Sequence, residues 1–175
     1  AFLIDTEAYF TAAFEALRRA RRSVTLLGWG FDPRTRLFPD GRGDAGEPDE
    51  VGRILLALSH RRPDLDIRLL IWKSALPISA SQEFFPHKAR KWFEGTRVHF
   101  RLDDSVPMGA CHHQKVLVID DAVAFCGGGD IGVDRWDTPG HLDLDRRRIM
   151  PDQECHAPRH EVMMLVDGEA AHALG

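Results

Sequence analysis

The chain has 175 residues, 43% hydrophobic and 29% charged, values ordinary for a soluble globular protein large enough for a proper core. No apolar run approaches the length of a membrane span and no signal peptide is visible. A net charge of −4 speaks against broad, sequence-blind binding of nucleic acid, which calls for a positive face.

In chain order, Asp5 or Thr6 can cap a helix in which Tyr9, Phe10, Ala13, Phe14 and Leu17 share one stripe. It ends in the arginines of 18–22, cations that suit the carboxyl end of a helix dipole. Ser23 to Gly30 reads as a central strand, and Phe31 to Asp49, rich in Gly, Pro, Asp and Arg, as a surface loop. Glu50 to Arg62 is a second amphipathic helix, stopped by Pro63, and Leu65 to Trp72 a second strand. Ser81 to Glu94 has a helical pattern that Pro86 interrupts, and Arg97 to Leu102 alternates like a strand.

Val116 to Ile119 and Ala122 to Cys126 are expected to form a hairpin across Asp120-Asp121. Pro139 to Pro158 is polar and loop-like, Arg159 to Val166 is the last strand, and Glu169 to Gly175 reads as a helix cut short. Strands alternating with helices predict an α/β domain over 1–175, a mixed sheet flanked by helices. With no methionine at Ala1, the chain reads as a trimmed part of a longer protein.

Cys111, Cys126 and Cys155 cannot all pair and show no C-x-x-C spacing, so reduced thiols are expected, in the cytoplasm or peripherally at a membrane. A zinc set drawn from Cys111, His112 and Cys155 or His156 matches no structural zinc spacing. No metal and no cofactor is expected. The basic clusters at 18–22 and 146–148 read as solvated surface charge. Lysine is scarce, at four residues against nineteen arginines, which makes each lysine more informative.

One of those lysines stands in the segment that carries the chemistry, His113-Gln114-Lys115-Val116-Leu117-Val118-Ile119-Asp120. Val-Leu-Val-Ile is too β-branched and too short for a helix and reads as a strand buried on both faces. Strand alternation would send His113 and Lys115 to one face, with Cα atoms roughly 6–7 Å apart. A nucleophilic imidazole beside a fixed ammonium suits attack on a phosphoryl group.

The pattern H-x-K-x4-D resembles the signature of the phospholipase D superfamily, and further elements follow in order. Gly127-Gly128-Gly129-Asp130 resembles the family's glycine turn, and Arg135-Trp136-Asp137 with His141 resembles a segment of the enzymes that act on phosphatidyl lipids. Pro158-Arg159-His160-Glu161-Val162 resembles the later His-Asp strand, with glutamate in place of aspartate. The resemblance runs from Leu27-Gly28-Trp29 to Val166-Asp167-Gly168.

It implies a metal-independent phosphodiesterase in which His113 attacks phosphorus and Lys115 holds a phosphate oxygen. Glu161 would bond the second nitrogen of His113, as the acid does in a Ser-His-Asp triad. Gly128 and Asp130 would shape the phosphate-binding turn, Asp130 bonding the loop or a lysine, and Trp136 and His141 would lie near the lipid-binding mouth. Asp120 belongs to the motif, yet strand alternation sends it away from His113, and an architectural role is equally open to it.

The superfamily builds one active site from two H-x-K motifs, and this sequence contains one. The chain is therefore expected to be the first half of a two-motif enzyme, or to pair with a homodimer mate. The implied function is hydrolysis or transphosphatidylation of phospholipid head groups. A dimeric nuclease of the same superfamily, or a catalytically silent module that binds phosphate groups or another protein, are the alternatives.

Overall fold

The computed structural model describes residues 1–41, 43, 46–73, 86–107 and 110–175. Among them, seven strands form one sheet. β1 (Phe2–Ile4) leads into α1 (Asp5–Arg19), followed by β2 (Ser23–Gly28), α2 (Val51–Arg61), β3 (Asp66–Trp72), α3 (Pro86–Trp92) and β4 (Val98–Asp103). β5 (Val116–Ile119), β6 (Val123–Gly127), β7 (Val162–Asp167) and the short α4 (Gly168–His172) complete the order. The sheet runs β1-β7-β6-β5-β2-β3-β4. β2, β3 and β4 are parallel, and every other pairing is antiparallel. This is the expected mixed α/β sheet with helices against it.

Alternation along the central strands divides the sheet into two faces. Val24, Leu26, Ile67, Leu69, Ile71, Leu117, Ile119, Phe125 and Met163 point to the face that receives the α1 stripe and the buried side of α2, and together they make the main core. On the opposite face, Val118 and Ala124 pack with Ala171 of α4. Tyr9, Phe10, Ala13, Phe14 and Leu17 of α1 are all buried, as their spacing predicts.

Several boundaries differ from expectation for reasons that lie outside local sequence. Asp5 and Thr6 do not cap α1; Ile4 holds the cap position and makes no side-chain cap bond. The helix is capped from another part of the chain. Glu7 N–H donates to the Asp137 carbonyl (3.0 Å), while Thr6 Oγ1 donates to the Arg135 carbonyl (2.7 Å) and accepts the Asp137 N–H (2.8 Å).

The 31–49 segment is not purely a surface loop, because Phe31, Leu37 and Phe38 are buried and Phe14 packs edge-on against Phe38 at 5.0 Å. Of the helix expected over 81–94, the described part is Pro86–Trp92. The part before Pro86 lies outside the described residues. The last strand starts at Val162, leaving Arg159, His160 and Glu161 outside the ladder.

Candidate active site

β5 runs antiparallel to β2, with Leu27 opposite Val116. Residues just before Val116 therefore meet those just after Gly28. Here Trp29 and Gly30 leave the strand, Gly127 closes β6, and Met163 pairs with Gly127 at the start of β7. Residues from β2, β5, β6 and β7 thus converge at one end of these neighbouring strands.

Lys115 sits in the floor of this site at 7% exposure. Its Nζ lies 3.2 Å from Asp130 Oδ2, donates to the His113 carbonyl at 3.2 Å, and stands 5.8 Å from the Trp29 ring centre. Asp130, also buried, accepts the Gly30 N–H on Oδ1 at 3.0 Å. Both expected partners of Asp130, loop and lysine, are therefore present. The pair is buried and mutually neutralising, so each charge depends on the other.

His113 lies above this floor and is exposed, its ring set edge-on to Trp29 at 5.8 Å and 65°. Strand alternation put the two motif side chains on one face. In the structure neither belongs to the strand, and they are layered instead, His113 outside and Lys115 within. Among the described residues, no hydrogen bond engages the His113 ring. His112 turns away to Asp103, with Nδ1 3.2 Å from Oδ2.

Glu161 is not bonded to His113, contrary to expectation. Its carboxylate faces the same floor from the β7 side, 4.0 Å from Arg135 Nη1. Burial, reinforced by Asp130, pushes the Glu161 carboxyl above the usual glutamate range, although Arg135, Arg159 and Lys115 pull it down. A Cβ on Gly128 would lie 2.5 Å from Glu161 Oε2. Gly128 thus makes room for the acid, and its N–H already donates to the Val162 carbonyl at 3.0 Å.

Three further expected site residues stand elsewhere. Asp120 lies at the opposite end of β5, where its carboxylate accepts the backbone N–H groups of Arg21, Arg22 and Ser23. Burial opposes ionisation there, but those three bonds and the Arg22 charge keep its carboxyl below the usual range. Asp120 and Asp121, with φ of 57° and 54°, form the tight β5–β6 turn. The Asp120 carboxylate ties this turn to the start of β2. Trp136 is 3% exposed within the core, beneath the Arg147 guanidinium at 5.0 Å, so it does not line a mouth. His141 bridges two buried carboxylates, Asp5 and Asp137, rather than facing a phosphate.

Trp29 and Arg135, which lie in segments that carry the resemblance, and Gly30 beside Trp29 also stand at the site. A further group is assembled only by the fold. Asp5, His141 and His160 bring one ligand-capable atom each within 4.8 Å of one another. Their separation along the chain hides them from any spacing rule.

No family model matches the chain. Phospholipase D B of Dictyostelium discoideum is 27% identical over 140 residues, covering 78% of this chain and 11% of its own length. Phospholipase D2 of Bos taurus is 26% identical over 136 residues, covering 78% and 14%. The chain spans only a small part of these curated relatives.

Among solved structures, Nuc from Salmonella typhimurium, a phospholipase D family member, matches with a TM-score of 0.58 at 13% identity. That match covers 99% of this chain and 88% of Nuc. Phosphatidylserine synthase of Haemophilus influenzae matches with a TM-score of 0.61 at 16% identity, over 99% of this chain and 34% of the synthase. Structural likeness at such identities establishes the fold. The sequence relatives add the family to it, and the H-x-K-x4-D segment leads into the site just described. The chain belongs to the phospholipase D superfamily.

Proposed function

We propose that the chain is a phosphodiesterase domain acting on phospholipid head groups through a phosphohistidine, with one half of a two-motif active site. The observation that carries this reading is the exposed His113 imidazole above the buried Lys115–Asp130 pair. An imidazole nitrogen of His113 forms a bond to phosphorus while the bond from phosphorus to the leaving alcohol breaks. A second histidine donates the proton that the leaving oxygen needs. It then takes a proton from water or an acceptor alcohol, whose oxygen attacks phosphorus and releases His113.

Lys115 supplies a fixed positive charge to the non-bridging oxygens, held in place by Asp130. Trp29, in contact with both motif residues, gives their side chains a rigid wall. The second histidine belongs to a further H-x-K segment of the parent protein or to a dimer mate. Contact with the membrane would be peripheral; among the described residues no helix is long and apolar enough to cross one.

A second reading is a dimeric member of the superfamily acting on nucleic acid. The near-complete overlap with Nuc, 88% of that chain, favours a unit of this size standing alone. The net charge of −4 weighs against it.

A leaving group that needs no proton isolates the first step. Incubation with bis(p-nitrophenyl) phosphate should release p-nitrophenolate and leave a phosphoryl adduct on the His113 peptide, detected by mass spectrometry at alkaline pH. His113→Ala should abolish both. An adduct on another residue, or release undiminished by His113→Ala, would remove His113 as the nucleophile.

A further inference from the structure

Asp5, Asp137 and Arg148 form a buried charged group at the head of α1, each side chain at most 1% exposed. Arg148 pairs with Asp137 (Nη1 to Oδ2, 3.5 Å), so two carboxylates and one guanidinium leave excess negative charge there. Hydrogen bonds do not absorb it fully. Asp5 Oδ1 meets His160 Nδ1 at 2.8 Å and accepts the Glu161 N–H at 3.2 Å. Asp5 Oδ2 is buried and has no hydrogen-bond donor. His141 Nε2 lies 3.4 Å from it without hydrogen-bond alignment. A buried carboxylate oxygen left in that state is costly and calls for an explanation.

A metal ion supplies one. Zinc bonds of about 2.0–2.2 Å at tetrahedral angles set neighbouring ligand atoms about 3.3–3.5 Å apart. The 3.4 Å between Asp5 Oδ2 and His141 Nε2 has that spacing. Each of Asp5, His141 and His160 offers one donor atom, all within 4.8 Å of one another. On the far side of its ring, His141 Nδ1 lies 3.2 Å from Asp137 Oδ2, the outer carboxylate that metal-binding histidines usually have. Burial disfavours the Asp137 anion, but the N–H groups of Arg159 and Thr138, His141 and Arg148 together keep its carboxyl below the usual range. The His160 side chain is 64% exposed although its Nδ1 meets Asp5, which leaves water access to a fourth position.

We propose that Asp5, His141 and His160 bind one zinc ion, with Asp137 orienting His141. The ion would join the head of α1, the 137–141 loop and the residue preceding Glu161. Neither His113 nor Lys115 is among its ligands, so it acts as a clamp beside the candidate active site and not as a reactant. The proposal does not depend on the phosphodiesterase reading.

Zinc titrated into metal-stripped protein, followed by calorimetry and thermal unfolding, tests it. The expected result is one zinc per chain with a rise in Tm, and cobalt(II) in its place giving the absorption of a four-coordinate nitrogen–oxygen site. His160→Ala removes an exposed side chain and leaves the core intact; it should weaken zinc binding at least about tenfold. Asp137→Asn should weaken it by about 10–100-fold. His60→Ala, and Cys111→Ser with Cys155→Ser, should leave it unchanged. Absence of stoichiometric binding, or binding that survives His160→Ala or is lost with the cysteines, overturns the proposal.

Discussion

Lys115 and Asp130 hold buried charges that balance each other, and the two substitutions should therefore behave differently apart and together. Asp130→Ala leaves the ammonium buried and unpaired and should cost about 3–5 kcal/mol in denaturant unfolding. Lys115→Met combined with Asp130→Leu should recover most of that loss, because apolar replacements of a buried pair are often neutral in stability. The double variant should still fail to form the His113 adduct. Glu161 shows the opposite balance. Its carboxyl is raised in the folded state, so ionisation costs stability once pH passes the ordinary glutamate value of 4.5. Glu161→Gln should raise Tm at pH 7, and the gain should vanish below about pH 4, where the acid is protonated in both states. A gain that is equally large at acid pH would show that packing, and not charge, is responsible.

At the scale of elements, what the sequence made legible was local and periodic. The α1 stripe, α2 stopped before Pro63, and the short β-branched run of β5 each carry their pattern within a few residues. Contacts made across the chain were not legible. Asp137 caps α1 from 130 residues away, and β1 is a three-residue edge strand defined only by its pairing with β7. The motif histidine and lysine were legible as chemistry, but their layering against Trp29 depends on where β2 ends. Asp120 is the instructive case, since its place in the motif suggested chemistry while its geometry is that of a turn. Asp120→Ala strands three backbone N–H groups at the start of β2 and should cost on the order of 2 kcal/mol or more. Adduct formation at His113 by the folded fraction should persist; its loss would return Asp120 to the site.

At the scale of the whole molecule, charge and the single H-x-K motif set the expected behaviour. Asp120, Asp137 and Asp145 all have lowered carboxyl values in the fold, Asp145 to about 2 through the Arg147 guanidinium. Groups lowered on folding contribute stability above their unfolded value of 3.8, and that contribution is lost as pH falls toward 2. Thermal unfolding measured from pH 5 to pH 2 should therefore show Tm falling most steeply below about pH 4. On the proposed reading this chain provides half of a phosphodiesterase site. General acid–base help from a second histidine is typically worth about 10²–10⁴-fold, and a second lysine adds charge stabilisation. The direct test is turnover of a phosphodiester with an alkyl leaving group, measured over a range of protein concentrations with the mass of each sample taken by light scattering. Negligible turnover by monomer, rising steeply as dimer forms or when the complementary H-x-K half is added, is the predicted result. Strong turnover by a proven monomer, abolished by His113→Ala, would contradict it.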